Sequence, residues 1–354
     1  MTIARPAVAA RQQPQAIPYP PQRDFELTPK PAANIDLTPR AVVVRRQWLA
    51  ADDIKGIELE AADGMPLPPA QAGAHIDLHL PDGTVRQYSL TNPDPAPMHY
   101  RIAVLRAPDS RGGSRYIVDE LAAGATLTLS GPRNHFELDE TAADYCLIAG
   151  GIGITPVLAM ARRLLELGHA FEFHYLVRDR NRAAFLDELQ ALVPAAALHL
   201  HVESESGRPD LAALIGTAAD NRHVYTCGPA GLLDAMQHAT AEWPAEQVHF
   251  ERFANTALQQ APESDAGPCA VTLQQSGRGF ELQPDETLLE ALERNDIDMP
   301  CCCREGICGT CAVGVIDGEV DHRDGLQDEE EKAMNDVMYV CVSRPTGSHL
   351  VLDL

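Results

Sequence analysis

The sequence predicts three domains in one chain: an antiparallel β-barrel, an α/β domain with a parallel sheet, and a small C-terminal domain with clustered cysteines. Three observations support this prediction. Short β-type segments separated by turn residues occupy residues 41–140. Strands then alternate with helices over residues 141–255. Six of the nine cysteines fall within residues 301–341, and the 354-residue chain is long enough to give each domain its own core.

The composition excludes several classes of protein. The 28 basic and 51 acidic side chains give a net charge of −23, which disfavours binding to nucleic acid or to an anionic membrane surface. Residues 263–354 hold 20 acidic and 6 basic side chains, a net −14. We expect no transmembrane helix, because no apolar run reaches about 18–20 residues. The absence of a secretory signal and the uneven cysteine spacing predict a cytoplasmic protein.

An N-terminal extension precedes the barrel. Residues 1–40 contain eight prolines and little apolar periodicity, which is typical of an extended segment. Both a flexible extension and a docking segment fit this pattern. The barrel strands are predicted at residues 41–48, 54–60, 75–80, 87–90, 100–104 and 126–130. A helix is predicted at 114–121, and Gly131-Pro132 is predicted as a turn.

The second and third domains have different patterns. In the second, strands are predicted at residues 145–149, 171–177, 199–203 and 223–227, and helices at 156–167, 183–192 and 230–241. This βαβ repetition predicts a doubly wound parallel sheet. A linker is predicted at 256–268. The third domain, residues 269–354, begins with a hairpin at 270–273 and 279–282, followed by a helix at 288–295.

The most specific motif is a cysteine cluster with C-x4-C-x2-C spacing and a distant fourth cysteine. This is the plant-type spacing for a [2Fe–2S] cluster, and a structural zinc site is the alternative. Two further cysteines, Cys301 and Cys302, precede the loop and are predicted to be spare thiols, although register alone does not exclude them. Only Cys303 gives the four-residue gap. The predicted ligands are Cys303, Cys308, Cys311 and Cys341.

Two motifs in the α/β domain follow predicted strands. A glycine-rich turn opens a helix, a pattern that suits a dinucleotide pyrophosphate at the helix N-terminus, and its members are Gly150, Gly151, Gly153, Thr155 and Pro156. Cys227, Gly228 and Pro229 follow a later strand, at the position of a loop that faces the nicotinamide. A plain tight turn and an ordinary buried thiol are the alternatives.

Two motifs in the barrel suit a phosphate, and the first also offers an aromatic side chain with a hydroxyl beside it. One strand carries Arg86, Tyr88, Ser89 and Leu90. Further on, the segment Arg111-Gly112-Gly113-Ser114 precedes the predicted helix, where backbone N–H groups suit a phosphate. Either motif alone is also typical of an ordinary strand or turn.

Taken together and in this order, these motifs resemble the phthalate dioxygenase reductase family of the ferredoxin–NADP reductase superfamily. The resemblance covers about residues 41–354. Its motifs here are R-x-Y-S-L, G-G-I-G-I-T-P, C-G-P, the segment from His249 to Phe253, the segment Asp321-His322-Arg323-Asp324 and the cysteine loop. The resemblance implies an antiparallel flavin-binding barrel, a parallel-sheet NAD-binding domain and a β-grasp plant-type ferredoxin domain.

The resemblance also implies residue roles. Arg86, Gly113 and Ser114 hold the flavin phosphate, and Tyr88, Ser89 and Leu90 line the isoalloxazine, with Ser89 near N5. Thr155 lies between flavin and nicotinamide, Cys227 is nearby, and Phe253 sits near the ring, with Phe250 as the alternative. The expected cofactors are FMN, with FAD as the alternative, a [2Fe–2S] cluster and NADH. Arg178, Arg180 and Arg182 keep NADPH open, although Asp179 lies among them.

The expected function follows from this set. Hydride passes from NADH to flavin, and single electrons pass through the cluster to a separate Rieske-type terminal oxygenase, as in vanillate O-demethylase systems. No acid–base side-chain pair is expected. The alternatives are a stand-alone reductase of another acceptor and a carrier without flavin activity. The acidic last domain suggests docking on a basic face of the oxygenase, with solubility alone as the other explanation.

Overall fold

The computed structural model describes residues 38–108, 112–253, 267–284, 286–301, 304–307, 309–327 and 329–354. The predicted extension (except for its last three residues), most of the predicted linker, and Cys302, Cys303 and Cys308 lie outside these ranges. Three large sheets follow one another along the chain, in the predicted order, and a two-stranded sheet accompanies the third. Among the helices of the described residues, none has the length and apolar character needed to cross a membrane.

The first sheet is an antiparallel half-barrel. Its strands are β1 Arg40–Ala51, β2 Ile54–Ala61, β3 Ala74–His79, β4 Val85–Ser89, β5 Tyr100–Leu105 and β6 Thr126–Asn134. They are ordered β4-β3-β6-β1-β2-β5. Alternate residues such as Val42 and Val44 face a core that Leu78, Ile102 and Leu129 complete. Between β5 and β6 lie one turn of helix, α1 Gly113–Arg115, and a π-helical segment, Tyr116–Glu120.

The second sheet is parallel throughout. Its strands are β7 Asp144–Gly150, β8 Phe171–Val177, β9 Leu198–Val202, β10 Arg222–Cys227 and β11 Val248–Glu251. The helices are α2 Ile154–Leu167, α3 Leu186–Leu192, α4 Glu203–Ser206, α5 Leu211–Ile215 and α6 Ala230–Ala239. The order β11-β10-β7-β8-β9 reverses direction between β7 and β10. Ligands of such sheets bind beyond the carboxyl ends of the strands at this switch point.

The third sheet has the mixed order of a β-grasp domain, β13-β12-β18-β14-β16, with β12 and β18 parallel. The elements of this domain are β12 Cys269–Leu273, β13 Gly279–Leu282, α7 Leu288–Arg294, β14 Ala312–Asp317, β15 Val320–Asp321, α8 Glu329–Met334, β16 Val337–Tyr339, β17 Arg344–Pro345 and β18 His349–Leu352. Strands β15 and β17 pair with each other in a separate two-stranded sheet. Thr287 and Glu290 form a capping box at the start of α7, which fixes where that helix begins.

The first two domains are in direct contact. Arg101 on β5 donates to Glu188 on α3 at 2.7 Å, and the backbone N–H of Asp52 donates to the carbonyl of Asn181 at 3.0 Å. The guanidinium of Arg101 also lies 5.6 Å from the ring centroid of Phe185. These contacts join the barrel directly to the parallel-sheet domain.

Several predicted boundaries differ from the structure. Gly131-Pro132, predicted as a turn, lies inside β6, where Gly131 has a φ of +96° beside a register shift against β3. A bulged glycine therefore bends the strand without ending it. The helix predicted from residue 183 begins at Leu186, because Phe185 adopts a left-handed conformation. The predicted helix at 114–121 consists of α1 and the π-helical segment.

Candidate functional site

Two loops meet at the switch point of the parallel sheet. One follows β7 and contains Gly150 and Gly153, and the other follows β10 and contains Cys227 and Gly228. A Cβ atom added to Gly153 would lie 2.2 Å from the carbonyl oxygen of Cys227, and one added to Gly228 would lie 3.0 Å from Cα of Gly150. Only glycine allows this approach, so the two predicted motifs form one crevice lined by backbone.

The crevice opens onto the N-terminus of α2. Gly151 has a φ of +53°, a left-handed conformation that redirects the chain from strand to helix. Thr155 is buried, and its hydroxyl donates to the carbonyl of Ile152 at 3.1 Å. Pro156 occupies the first turn, where no intrahelical partner exists for the N–H that proline lacks. The first N–H groups of a helix have no partner within that helix, so this end fits a dinucleotide pyrophosphate.

Replacing Gly153 with alanine is expected to push the two loops apart. The added methyl group would overlap the Cys227 carbonyl, so we expect a stability loss of about 1–3 kcal/mol and weaker NADH binding. Titration calorimetry with NADH and thermal unfolding would measure both effects. Gly231→Ala is the matched control, since nothing lies within 4 Å of a Cβ at that position. Equal behaviour of the two variants would contradict the expected close approach.

The two barrel motifs come together at Arg86, the second residue of β4. A Cβ on Gly113 would lie 2.8 Å from Nε of Arg86, so the loop backbone packs directly on this side chain. The hydroxyl of Ser114 accepts a hydrogen bond from the backbone N–H of Ala107 at 3.2 Å. Tyr88 packs against the barrel core, and Leu90 is buried. A guanidinium beside a glycine backbone fits a flavin phosphate.

The two domains share a small polar cluster that the sequence analysis did not identify. The carboxyl group of Glu251, at the end of β11, interacts with the hydroxyl of Ser89 and the thiol of Cys227. Its Oε2 atom is shielded from solvent and has no hydrogen-bond partner among the described residues. Burial raises the pKa of Glu251 to about 8 and raises that of Cys227 well above its usual range.

The sequence motifs contain Glu251 only as one residue of the segment from His249 to Phe253 and give it no role of its own. A sequence signal existed, since an acidic side chain ends an otherwise apolar and aromatic strand. The two phenylalanines of this segment are placed differently. Phe250 packs against the cluster of Ile148 and Met236, whereas Phe253 is 37% exposed.

The cysteine region is described in part. Cys311 and Cys341 are buried with their Sγ atoms 3.2 Å apart. The half-buried thiol of Cys301 interacts with both. Gly306 and Gly309 have φ values of +66° and +73°, which lets the loop turn tightly around the buried sulfurs. Converging thiols beside a tight glycine loop fit a [2Fe–2S] cluster, for which Cys303 and Cys308 remain predicted ligands.

The C-terminal domain and the whole chain both have known relatives. A family model described as "2Fe-2S iron-sulfur cluster binding domain" matches residues 271–346. Vanillate O-demethylase oxidoreductase of Pseudomonas sp. (strain HR199 / DSM 7063) is 40% identical, over 88% of this chain and 99% of the relative. Tetrachlorobenzoquinone reductase of Sphingobium chlorophenolicum is also 40% identical, over 92% and 99% of the two chains.

Two solved structures have similar folds. Phthalate dioxygenase reductase, described as a modular structure for electron transfer from pyridine nucleotides to [2Fe–2S], matches with a TM-score of 0.71 and 36% identity, over 90% of this chain and 98% of that one. An intact type IV self-sufficient cytochrome P450 monooxygenase matches with a TM-score of 0.75 and 43% identity, over 89% of this chain. Our chain spans 41% of that longer protein.

Proposed function

The chain belongs to the phthalate dioxygenase reductase family, and from this premise we propose that it is the reductase component of a Rieske oxygenase system. It is an oxidoreductase that uses NADH, a flavin and a [2Fe–2S] cluster. In the proposed reaction, electrons leave this chain for a separate terminal oxygenase that hydroxylates or demethylates an aromatic compound. The main support is the alignment with a solved reductase that transfers electrons from pyridine nucleotides to [2Fe–2S]. The match covers 90% of this chain, including all three domains, and 98% of that reductase.

The cofactors divide the chemistry, because NADH gives up two electrons as hydride, a flavin can release them singly, and a [2Fe–2S] cluster accepts one at a time. The protein binds and orients these groups. We propose FMN as the flavin. Its phosphate would be held by Arg86, Gly113 and Ser114, and its ring lined by Tyr88, Ser89, Leu90 and Phe253.

The remaining proposed contacts involve the nicotinamide cofactor and the cluster. The crevice backbone would hold the pyrophosphate and nicotinamide, through Gly150, Gly151, Gly153, Thr155, Pro156, Cys227, Gly228 and Pro229. Thr155 and Ser89 would orient the two ring systems. The cluster would be held by Cys303, Cys308, Cys311 and Cys341.

Two of the three arginines after β8 favour NADH over NADPH. Arg180 pairs with Glu205 at 2.7 Å, and Arg182 pairs with Asp53 at 3.2 Å. Both guanidinium groups therefore already face carboxylates, which would repel a 2′-phosphate at the same place. This arrangement supports NADH as the hydride donor.

A sharp test combines the reductase, loaded with flavin and cluster, with NADH and candidate Rieske oxygenases. We expect the Rieske centre to be reduced and product to form in proportion to NADH consumed. Because residues 263–354 carry a net −14, we also expect the delivery rate to fall as ionic strength rises. An electron-delivery rate that does not change with ionic strength would argue against charge-guided docking. An oxygenase that stays oxidised while NADH is consumed would argue against the proposal itself.

A second candidate is a stand-alone reductase of a small acceptor. It is favoured by the 40% identity to tetrachlorobenzoquinone reductase over 99% of that protein. In the same assay, rapid substrate-saturable reduction of a benzoquinone with no transfer to any oxygenase would favour this candidate.

A further inference from the structure

A polar cluster with two buried members and one exposed member lies on one face of the parallel sheet, apart from the crevice. Cys146 on β7 is directly opposite Glu172 on β8, and His174 follows two residues later on the same face. One sulfur, one carboxylate oxygen and one imidazole nitrogen from these residues lie within 4.8 Å of one another. Cys146 is four residues before Gly150, about 13 Å along the strand. The cluster is therefore distinct from the proposed cofactor site.

His174 is the member whose contacts point to a ligand. The residue is 5% exposed, and its Nε2 is buried with no hydrogen-bond partner in the part of the chain that the structure describes. Its Nδ1 lies 3.2 Å from Nε2 of His201, and its ring stacks on His199 at 4.8 Å between centroids. A histidine fixed through one ring nitrogen, with the other unpartnered, has the arrangement typical of metal-binding histidines.

The charges around the cluster match a divalent cation. Arg222 donates to Asp144, to the thiol of Cys146 and, at 3.0 Å, to Oε2 of Glu172, and the other oxygen of Glu172 takes no part in these contacts. When Cys146 is ionised, the net charge of Cys146, Asp144, Glu172 and Arg222 is −2. The side chains of Asp144 and Glu172 are both about half exposed, so an ion has a route in from solvent.

We propose that Cys146, His174 and Glu172 bind Zn²⁺, with a water molecule as the fourth ligand. Sulfur, imidazole and carboxylate together form a ligand set that zinc accepts in tetrahedral geometry. Bond lengths of about 2.0–2.3 Å require ligand atoms roughly 3.3–3.8 Å apart, so rotations that move these atoms on the order of 1 Å complete the site. Binding transfers the thiol proton of Cys146 to solvent and changes no oxidation state. The bound ion would cross-link β7 and β8.

The test uses the holoprotein, dialysed against buffered Zn²⁺, with zinc, iron and flavin measured per chain. We expect about one zinc per chain in the wild type, with the iron content unchanged, and loss of that zinc in both Cys146→Ala and His174→Gln. Cys269→Ala is the matched control, since it removes another buried thiol that lies outside this cluster. Zinc should raise the thermal unfolding midpoint of the wild type and of this control, but not of the two site variants.

Three outcomes would overturn the inference. They are a wild-type zinc content no higher than that of Cys146→Ala, zinc uptake that displaces iron, and zinc that persists in both site variants. His174→Gln keeps a polar side chain of similar size. Loss of zinc in His174→Gln therefore cannot be explained by a packing defect at Cys146. Circular dichroism and flavin content would check that the His174→Gln protein is folded.

Discussion

Replacing Cys341 with serine is expected to abolish the [2Fe–2S] cluster and the electron transfer that depends on it. Cys341 and Cys311 are buried with their Sγ atoms 3.2 Å apart, so water does not readily replace the lost sulfur ligand. We expect the visible absorption of the cluster to disappear and NADH-dependent cytochrome c reduction to fall on the order of 10²-fold. Direct reduction of ferricyanide by the flavin should persist, because the first two domains are untouched.

Cys269→Ser provides the control for this variant. Cys269 is also buried in the C-terminal domain, on β12, but it is not among the predicted ligands. Iron content, absorption and cytochrome c reduction should therefore match the wild type. A Cys341→Ser protein that kept two irons and a wild-type spectrum would contradict the ligand assignment. In that case the thiol of Cys301, which already interacts with Cys311 and Cys341, would be the first replacement ligand to examine.

Replacing Glu251 with glutamine is expected to remove a pH dependence from both stability and flavin reduction. Burial raises the pKa of this carboxyl from 4.5 to about 8. Below pH 4.5 it is protonated in the folded and unfolded chains alike. Between pH 4.5 and 8 only the unfolded chain loses the proton, so the stability of the wild type falls by about 1.4 kcal/mol per pH unit relative to the variant. Above pH 8 the two curves should run parallel.

Thermal unfolding of the two proteins from pH 5 to pH 9 would measure the stability effect. Stopped-flow measurement of flavin reduction by NADH would give the effect on the rate of hydride transfer. Glutamine resembles the protonated acid, so the rates should agree at pH 6 and diverge above pH 8, where a charge forms beside Ser89 and Cys227. Glu246→Gln is the control, because that side chain is exposed. Parallel stability curves for the wild type and Glu251→Gln below pH 8 would exclude the raised pKa.

The site was predictable from sequence to the extent that its residues are adjacent in the chain. The glycine turn before α2, the strand carrying Arg86 and the cysteine loop are local motifs, and each has a covalent spacing that its ligand requires. The sequence also indicated where strands alternate with helices, because burial on a sheet or a helix imposes a hydrophobic period. Boundaries were less certain. A left-handed residue such as Phe185 delays a helix, and a bulged glycine such as Gly131 keeps a strand going through a predicted turn.

The sequence by itself determined the order of the three domains, the parallel character of the second sheet and the cofactor classes, since these depend on periodicity and on local spacing. The tertiary structure decided which distant residues meet. Ser89, Cys227 and Glu251 come from three strands of two domains, and the fold brings them together at a place where burial raises the pKa of the carboxyl group. Cys146, Glu172 and His174 likewise form a cluster only through strand register. Burial and proximity are properties of the folded chain, so linear spacing does not bring the members of either group together, although the acidic end of an apolar strand marks Glu251 itself.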